Sequence, residues 1–244
     1  MDLQAAAKTA FARHLEQNPY PGRGLVIGRA SGGDWLQVYW IMGRSPNSRN
    51  RRFVAEGGTL RTEPVDPAAL EDPSLIIYEA MLERPGLFVV TNGDQTRTIV
   101  QAFGGGDEPW RFEAALATRE REPDAPNYTP RISGLLDLRA PEPGVALSIL
   151  RANEADPAHT DRSVYRPAPP PPGLGVGLTT YLGDGSPLPP FRGDPLWLPL
   201  EGDAEAVLER YWAALDAENR VALAVKRIPG AGGRTRIQVR NAHP

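Results

Sequence analysis

The 244-residue chain has no cysteine, which excludes disulfides, thiolate metal sites and a cysteine nucleophile. Histidine is nearly as scarce. The three present, His14, His159 and His243, fall in a helical stretch, a polar loop and the C-terminal tail, with none of the spacing of a metal-ligand set. Lysine is reduced to Lys8 and Lys226, so almost all of the 27 basic residues are arginine. With abundant alanine, proline and glycine this reflects a GC-rich genome, and it weakens any inference from arginine having been preferred to lysine. No apolar run approaches the ~18 residues of a membrane-spanning helix, and the first 16 residues lack the basic start and continuous apolar core of a signal peptide. The expectation is a soluble, cytoplasmic protein with no membrane partner. Against 30 acidic residues and a pI near 5.7, a broad basic surface for nucleic acid is also excluded. Any anion site must be local.

What is present reads as an α+β chain of many antiparallel strands and few helices, with a single domain over residues 1–244 and a helical extension over 1–18. Leu3, Ala7, Phe11 and Leu15 recur four apart, and the helix that they imply stops at Asn18-Pro19. Its apolar stripe suits packing on the domain or on a partner, so a homo-oligomer stays open. GRGLVIGRA (22–30) and DWLQVYWIM (34–42) predict a hairpin across Ser31-Gly32-Gly33. FVAEGGTLRT (53–62) predicts further strand around a glycine turn, LFVVT (87–91) a buried strand, and SLIIYEAML (74–82) either a short helix or a buried strand. Helices are expected at QTRTIVQAF (95–103), capped by Asp94 or Thr91, at RFEAALATRER (111–121) and at AEAVLERYWAALDAE (204–218). The strands RISGLLDLR, VALSILRAN, SVYRP, GLGVGLTTYL, NRVALAVKRI and TRIQVR fill most of the second half. The prolines of 168–172 predict a stiff surface loop in polyproline II form.

Three polar loops stand at strand ends. MGRSPNSRNRRF (42–53) carries Arg44, Asn47, Arg49, Arg51 and Arg52, and guanidinium forks match phosphate or carboxylate. TNGDQT (91–96) is a strand–glycine turn–helix junction of the kind that attracts anions. EPDAPNYTPR (122–131) fixes Asp124, Asn127, Tyr128 and Arg131 on a proline-stiffened loop. Each taken singly has a bland alternative in a solvated arginine loop, ordinary helix capping or a structural crossover. No P-loop, GxGxxG fingerprint or GxSxG elbow occurs.

In this order and spacing, YWIMGRSPNSRNR (39–51), DPSLIIYEAM (72–81), VVTNGDQT (89–96) and EPDAPNYTPRISG (122–134) resemble the archaeal-type inosine monophosphate cyclohydrolase family. The likeness runs from about Tyr20 through GLTTYLGDGSPLPPFRGDP (177–195). It implies a four-layer αββα sandwich similar to that of N-terminal nucleophile hydrolases, and closure of a purine ribotide ring without metal or cofactor. The archaeal Arg-Ser-Phe-Pro-Asn-Arg pattern, laid over RSPNSR (44–49), implies Arg49 on the reacting oxygen and Arg44 and Asn47 on the substrate. Tyr78 would relay a proton or orient the carboxamide, and Asp124, with Glu122 in reserve, would be the acidic partner. Asn92, Gly93, Asp94 and Thr96 would hold ribose or base, Asn127 would join them, and Arg51 or Arg131 would take the phosphate. Arg52 would be solvated. Two alternatives accompany this reading: a ribotide-binding protein that has lost the chemistry, and an amidohydrolase activated by internal processing, since the chain begins Met1-Asp2.

Overall fold

The computed structural model describes residues 2–69, 73, 76–230 and 233–243. Helix α1 (Leu3–Phe11) opens on an Asp2 cap and continues as a wider π turn over Ala12–Glu16, ending before Asn18-Pro19 as expected. One antiparallel sheet contains β1 (Gly24–Arg29), β2 (Trp35–Met42), β10 (Leu174–Thr179), β11 (Leu196–Pro199), β12 (Arg220–Ile228) and β13 (Arg236–Asn241), in the order β11-β10-β1-β2-β12-β13. The other runs β3 (Arg52–Glu56), β4 (Thr59–Glu63), β5 (Glu79–Arg84), β6 (Leu87–Thr91), β7 (Arg131–Asp137), β8 (Gly144–Ala152) and β9 (Thr160–Tyr165) in simple sequence order. Helices α3 (Gln95–Ala102), α4 (Arg111–Leu116) and α5 (Ala204–Ala214), with one turn at α2 (Pro46–Arg49) and short 3-10 turns at Pro67–Ala69 and Phe103–Gly105, complete the described elements.

Three apolar layers separate four layers of structure, which is the αββα order. Leu25, Ile27, Tyr39 and Ile41 of the first sheet meet Phe88, Val90, Ile132 and Leu136 of the second. Val26, Val38 and Trp40, on the opposite face of the first sheet, pack beneath Phe11, Leu15, Val207 and Tyr211 of the helical segments. Leu87, Val89 and Leu135 pack outward against Ile99, Phe103 and Phe112. All eight residues of β2 are buried because a central strand covered on both faces offers neither parity of side chain to water. Where the two sheets meet at an edge, the Asn241 side chain accepts from the Phe53 backbone N–H at 2.8 Å and donates to its carbonyl at 3.1 Å. Among the described residues no helix is long and apolar enough to cross a membrane.

Several local expectations are corrected. Neither Asp94 nor Thr91 caps α3 in the expected way: the Asp94 carboxylate instead holds Arg119 and Arg131. Helix α4 covers only the first six residues of its predicted stretch, because the arginines and glutamates beyond Leu116 have no apolar face to continue. Of SLIIYEAML, Ser74 and Leu75 lie outside the described residues, as does the Asp72 that precedes it, and the strand starts at Glu79. The arginine stretch is not extended: Ser45 and Ser48 cap each other's backbone N–H around one helical turn, with Pro46 at its first position. Strand β11 lies in a proline-bounded LWLP run with too few residues to show a period.

Candidate functional site

Antiparallel pairing brings the start of β1, the end of β2 and the end of β10 to one end of the first sheet, since Gly24 lies opposite both Trp40 and Thr179. The end of β6 and the start of β7 reach the same end of the second sheet, with Thr91 opposite Ser133. The loops leaving these strands enclose a cavity of ≈ 240 Å³ lined by Tyr20, Gly22, Arg23, Met42, Arg44, Ser45, Ser48, Arg51, Asp124, Asn127, Thr129, Thr180, Tyr181 and Leu188. The Arg23 backbone donates to Thr180 Oγ1 at 3.0 Å, and its guanidinium crosses between the sheets to the Asn92 carbonyl at 3.2 Å. Gly22 has φ +73°, and a side chain there would begin 2.2 Å from Thr180 Oγ1 and 2.5 Å from the Tyr181 ring. Glycine is therefore required for the Tyr20–Arg23 segment to lie this close to the 180–191 loop.

Three guanidinium groups face the cavity, and they differ in what they already hold. Arg44 pairs with Asp184, donates to the Gly185 carbonyl at 3.0 Å and lies 5.0 Å over the Tyr20 ring. Arg23 is paired with the buried Glu122 carboxylate. Burial opposes the charge on Arg23, but Glu122 together with Tyr78 and Tyr39 raises its pKa well above the ordinary value and keeps the guanidinium protonated. Burial also raises the pKa of Glu122 from its ordinary value, against the pull of Arg23 and Arg131. Arg51 is only 2 % exposed, yet among the described residues it has no carboxylate partner. It donates to the Ser48 carbonyl at 2.9 Å and the Met42 carbonyl at 3.3 Å. Burial and the nearby Arg23 charge lower its pKa. A buried cation held only by carbonyls favours an anionic ligand.

Tyr39 and Tyr78 share a hydrogen bond of 2.7 Å in the inter-sheet core. Both interact electrostatically with Arg23 and Arg51, and neither is among the residues that line the cavity. Of the residues expected from sequence, Arg44, Arg51, Asp124 and Asn127 line the cavity. Arg49 turns away, donating to the Gly43 carbonyl at 3.0 Å and to Asn219 at 3.4 Å. Asn47 is outside the lining, with its Oδ1 buried and unpartnered. Arg52 is half-exposed beside Glu63.

The 91–96 turn spends its polar groups internally. Asn92 Oδ1 accepts from the Ile132 N–H at 2.8 Å and from Gln95 at 3.1 Å, while Nδ2 donates to the Pro130 carbonyl at 2.8 Å. Thr96 Oγ1 contacts Thr91 Oγ1 at 2.6 Å and donates to the Glu79 carbonyl at 2.5 Å. A Cβ on Gly93 would begin 2.4 Å from Arg131 Nη1. Asp94 and Arg131 line a separate hollow with Arg119 and Arg121. The 122–131 loop walls both spaces, contributing Pro123 to the hollow and Asp124, Asn127 and Thr129 to the cavity.

Arg23, Tyr20, Tyr39, Thr129, Thr180 and Tyr181 were not picked out from sequence. For Arg23 the available signal was a charged residue between two glycines immediately before an apolar strand. For Thr180 and Tyr181 it was a Thr-Thr-Tyr run at a strand end. Among the described residues no three His, Asp or Glu side chains converge as a metal-ligand group.

Comparison with known proteins gives one family: the model described as IMP cyclohydrolase-like protein matches residues 20–232. That span contains every residue of the cavity and begins after α1. No curated protein matches the chain.

Proposed function

Since the chain belongs to the family of IMP cyclohydrolase-like proteins, we propose that it closes the six-membered ring of a purine ribotide, converting 5-formamidoimidazole-4-carboxamide ribotide to inosine monophosphate and water. The observation that carries this reading within the family is Arg51: a buried guanidinium without a carboxylate partner, in the wall of a cavity that already holds two more. Nucleophile and electrophile belong to one substrate, so holding the carboxamide nitrogen against the formyl carbon supplies much of the acceleration. What remains is to stabilise the oxyanion that develops on the formyl oxygen and to move the carboxamide proton. Arg51 and Arg23 are the donors for the oxyanion, and Arg44, at the Tyr20 side of the cavity, takes the phosphate. Glu122 is the group assigned to the proton, because burial raises its pKa from the ordinary carboxylate value and its partner Arg23 lines the cavity. Asp124, the sequence-based choice, is anchored by Thr129 through one hydrogen bond to each oxygen, which fixes it as an acceptor and leaves each oxygen a further lone pair.

The test is to incubate the purified chain with the formylated ribotide, with a chelator present, and follow inosine monophosphate. Turnover above the spontaneous rate by a chain of unshortened 26.5 kDa mass supports the proposal and removes the internally processed amidohydrolase. Tight product binding with no turnover would instead identify a binding protein that has lost the chemistry.

A further inference from the structure

Two hydrogen bonds in the cavity wall have a direction set by charge. The Asp124 carboxylate accepts from the Thr129 N–H at 2.6 Å and also from the Thr129 hydroxyl. Thr129 Oγ1 lies 2.6 Å from the Tyr181 hydroxyl. A threonine hydroxyl has one hydrogen to give, and a carboxylate can only accept. With the Thr129 hydrogen committed to Asp124, the Tyr181 hydrogen is committed to Thr129. Burial raises the Tyr181 phenol well above its ordinary pKa, so this proton is not lost to solvent. The Tyr181 oxygen therefore offers lone pairs to a ligand, and among the described residues nothing else occupies them. The ring that carries it is fixed by stacking on Tyr20, at 6.0 Å between centroids and 24° between planes.

The cavity is accordingly divided. Arg23, Arg44 and Arg51 are donors and fit phosphate and carbonyl oxygens. Tyr181 and the neighbouring Asp124 are acceptors, joined through Thr129, and fit a ligand with two hydroxyl donors side by side. A vicinal diol has that form, and carboxylates read ribose hydroxyls elsewhere in the same way.

Building on the ribotide reading above, we propose that Tyr181 is a specificity residue that accepts a hydrogen bond from a ribose hydroxyl, with Asp124 beside it, and so selects ribonucleotides over deoxyribonucleotides. Thr129 is the positioning residue that sets the polarity of the tyrosine.

The probes are inosine 5′-monophosphate and its 2′-deoxy and 3′-deoxy forms, with binding measured by titration calorimetry. The native chain is expected to bind the ribonucleotide about 10-fold more tightly than at least one deoxy form, as one lost hydrogen bond implies. Tyr181→Phe should weaken the ribonucleotide and leave the deoxy form unchanged, erasing the preference, while Thr129→Ser, which keeps the hydroxyl, should retain it. A general loss of structure would weaken all three ligands together. Equal affinity of the native chain for all three nucleotides overturns the inference and leaves the ribotide reading standing, and so does a preference that survives in Tyr181→Phe. The native comparison needs no variant, so equal affinities overturn the inference even if Tyr181→Phe does not fold. If none of the three binds and no inosine monophosphate forms, the ribotide reading fails and this inference falls with it.

Discussion

Four arginines within residues 44–52 look equivalent on paper and are used in four different ways. Arg44 pairs with Asp184, Arg49 turns back to the Gly43 carbonyl, Arg51 is buried in the cavity wall and Arg52 sits beside Glu63. The helical turn at Pro46–Arg49 decides this, because it moves the chain around by about one revolution between residues that a strand would have alternated. Laid directly on the sequence, the archaeal pattern ends at Arg49, and the structure puts Arg51 in the cavity instead. Arg51→Ala is therefore expected to lower turnover of the formylated ribotide by ~10²-fold or more, the cost of one lost oxyanion donor. Arg49→Ala should keep close to native turnover. Steady-state kinetics on the two variants decide between them, and the reverse ranking would return the role to Arg49.

At the scale of elements, the strand–turn–helix junction at β6 and α3 has the look of a ligand loop and the hydrogen bonding of a structural staple. Asn92 is fully buried and joins three segments: its own turn, the Pro130 carbonyl of the 122–131 loop and the first residues of β7. In doing so it fixes the loop that carries Glu122, Asp124 and Thr129. Removing its amide leaves the Ile132 N–H and the Pro130 carbonyl without partners inside the protein, so Asn92→Ala should cost about 2–4 kcal/mol of stability. Urea denaturation would show it as a lowered midpoint at unchanged slope. An unchanged midpoint with loss of ribotide binding would instead return Asn92 to direct ligand contact. Composition alone could not separate the two roles, since the same asparagine, glycine and threonine suit both.

Over the whole molecule, the first helix answers a question that its amphipathic stripe left open. Ala7, Phe11 and Leu15 are buried against the protein's own first sheet and α5, with the Phe11 ring 5.0 Å from Tyr211 at 74°. This segment lies outside the matched span of 20–232, yet it covers part of the sheet from which β1 and β2 reach the cavity. Phe11→Ala is expected to destabilise the chain by about 3–5 kcal/mol, readable as a lowered thermal midpoint. A change of a few tenths would mean that the helix is dispensable to the fold. From sequence alone came most of the strands and the longer helices, because runs of alternating or continuous apolar residues report which local conformation can bury them; the absence of cysteine chemistry came the same way. The neighbourhood of the cavity was also legible, as polar loops in a recurring order. Which side chains enter it was decided only in three dimensions. Arg23, Arg51, Thr129 and Tyr181 are far apart along the chain and meet through the pairing of two sheets. Their ionisation and hydrogen-bond direction depend on burial and neighbouring charge, and local sequence pattern carries neither.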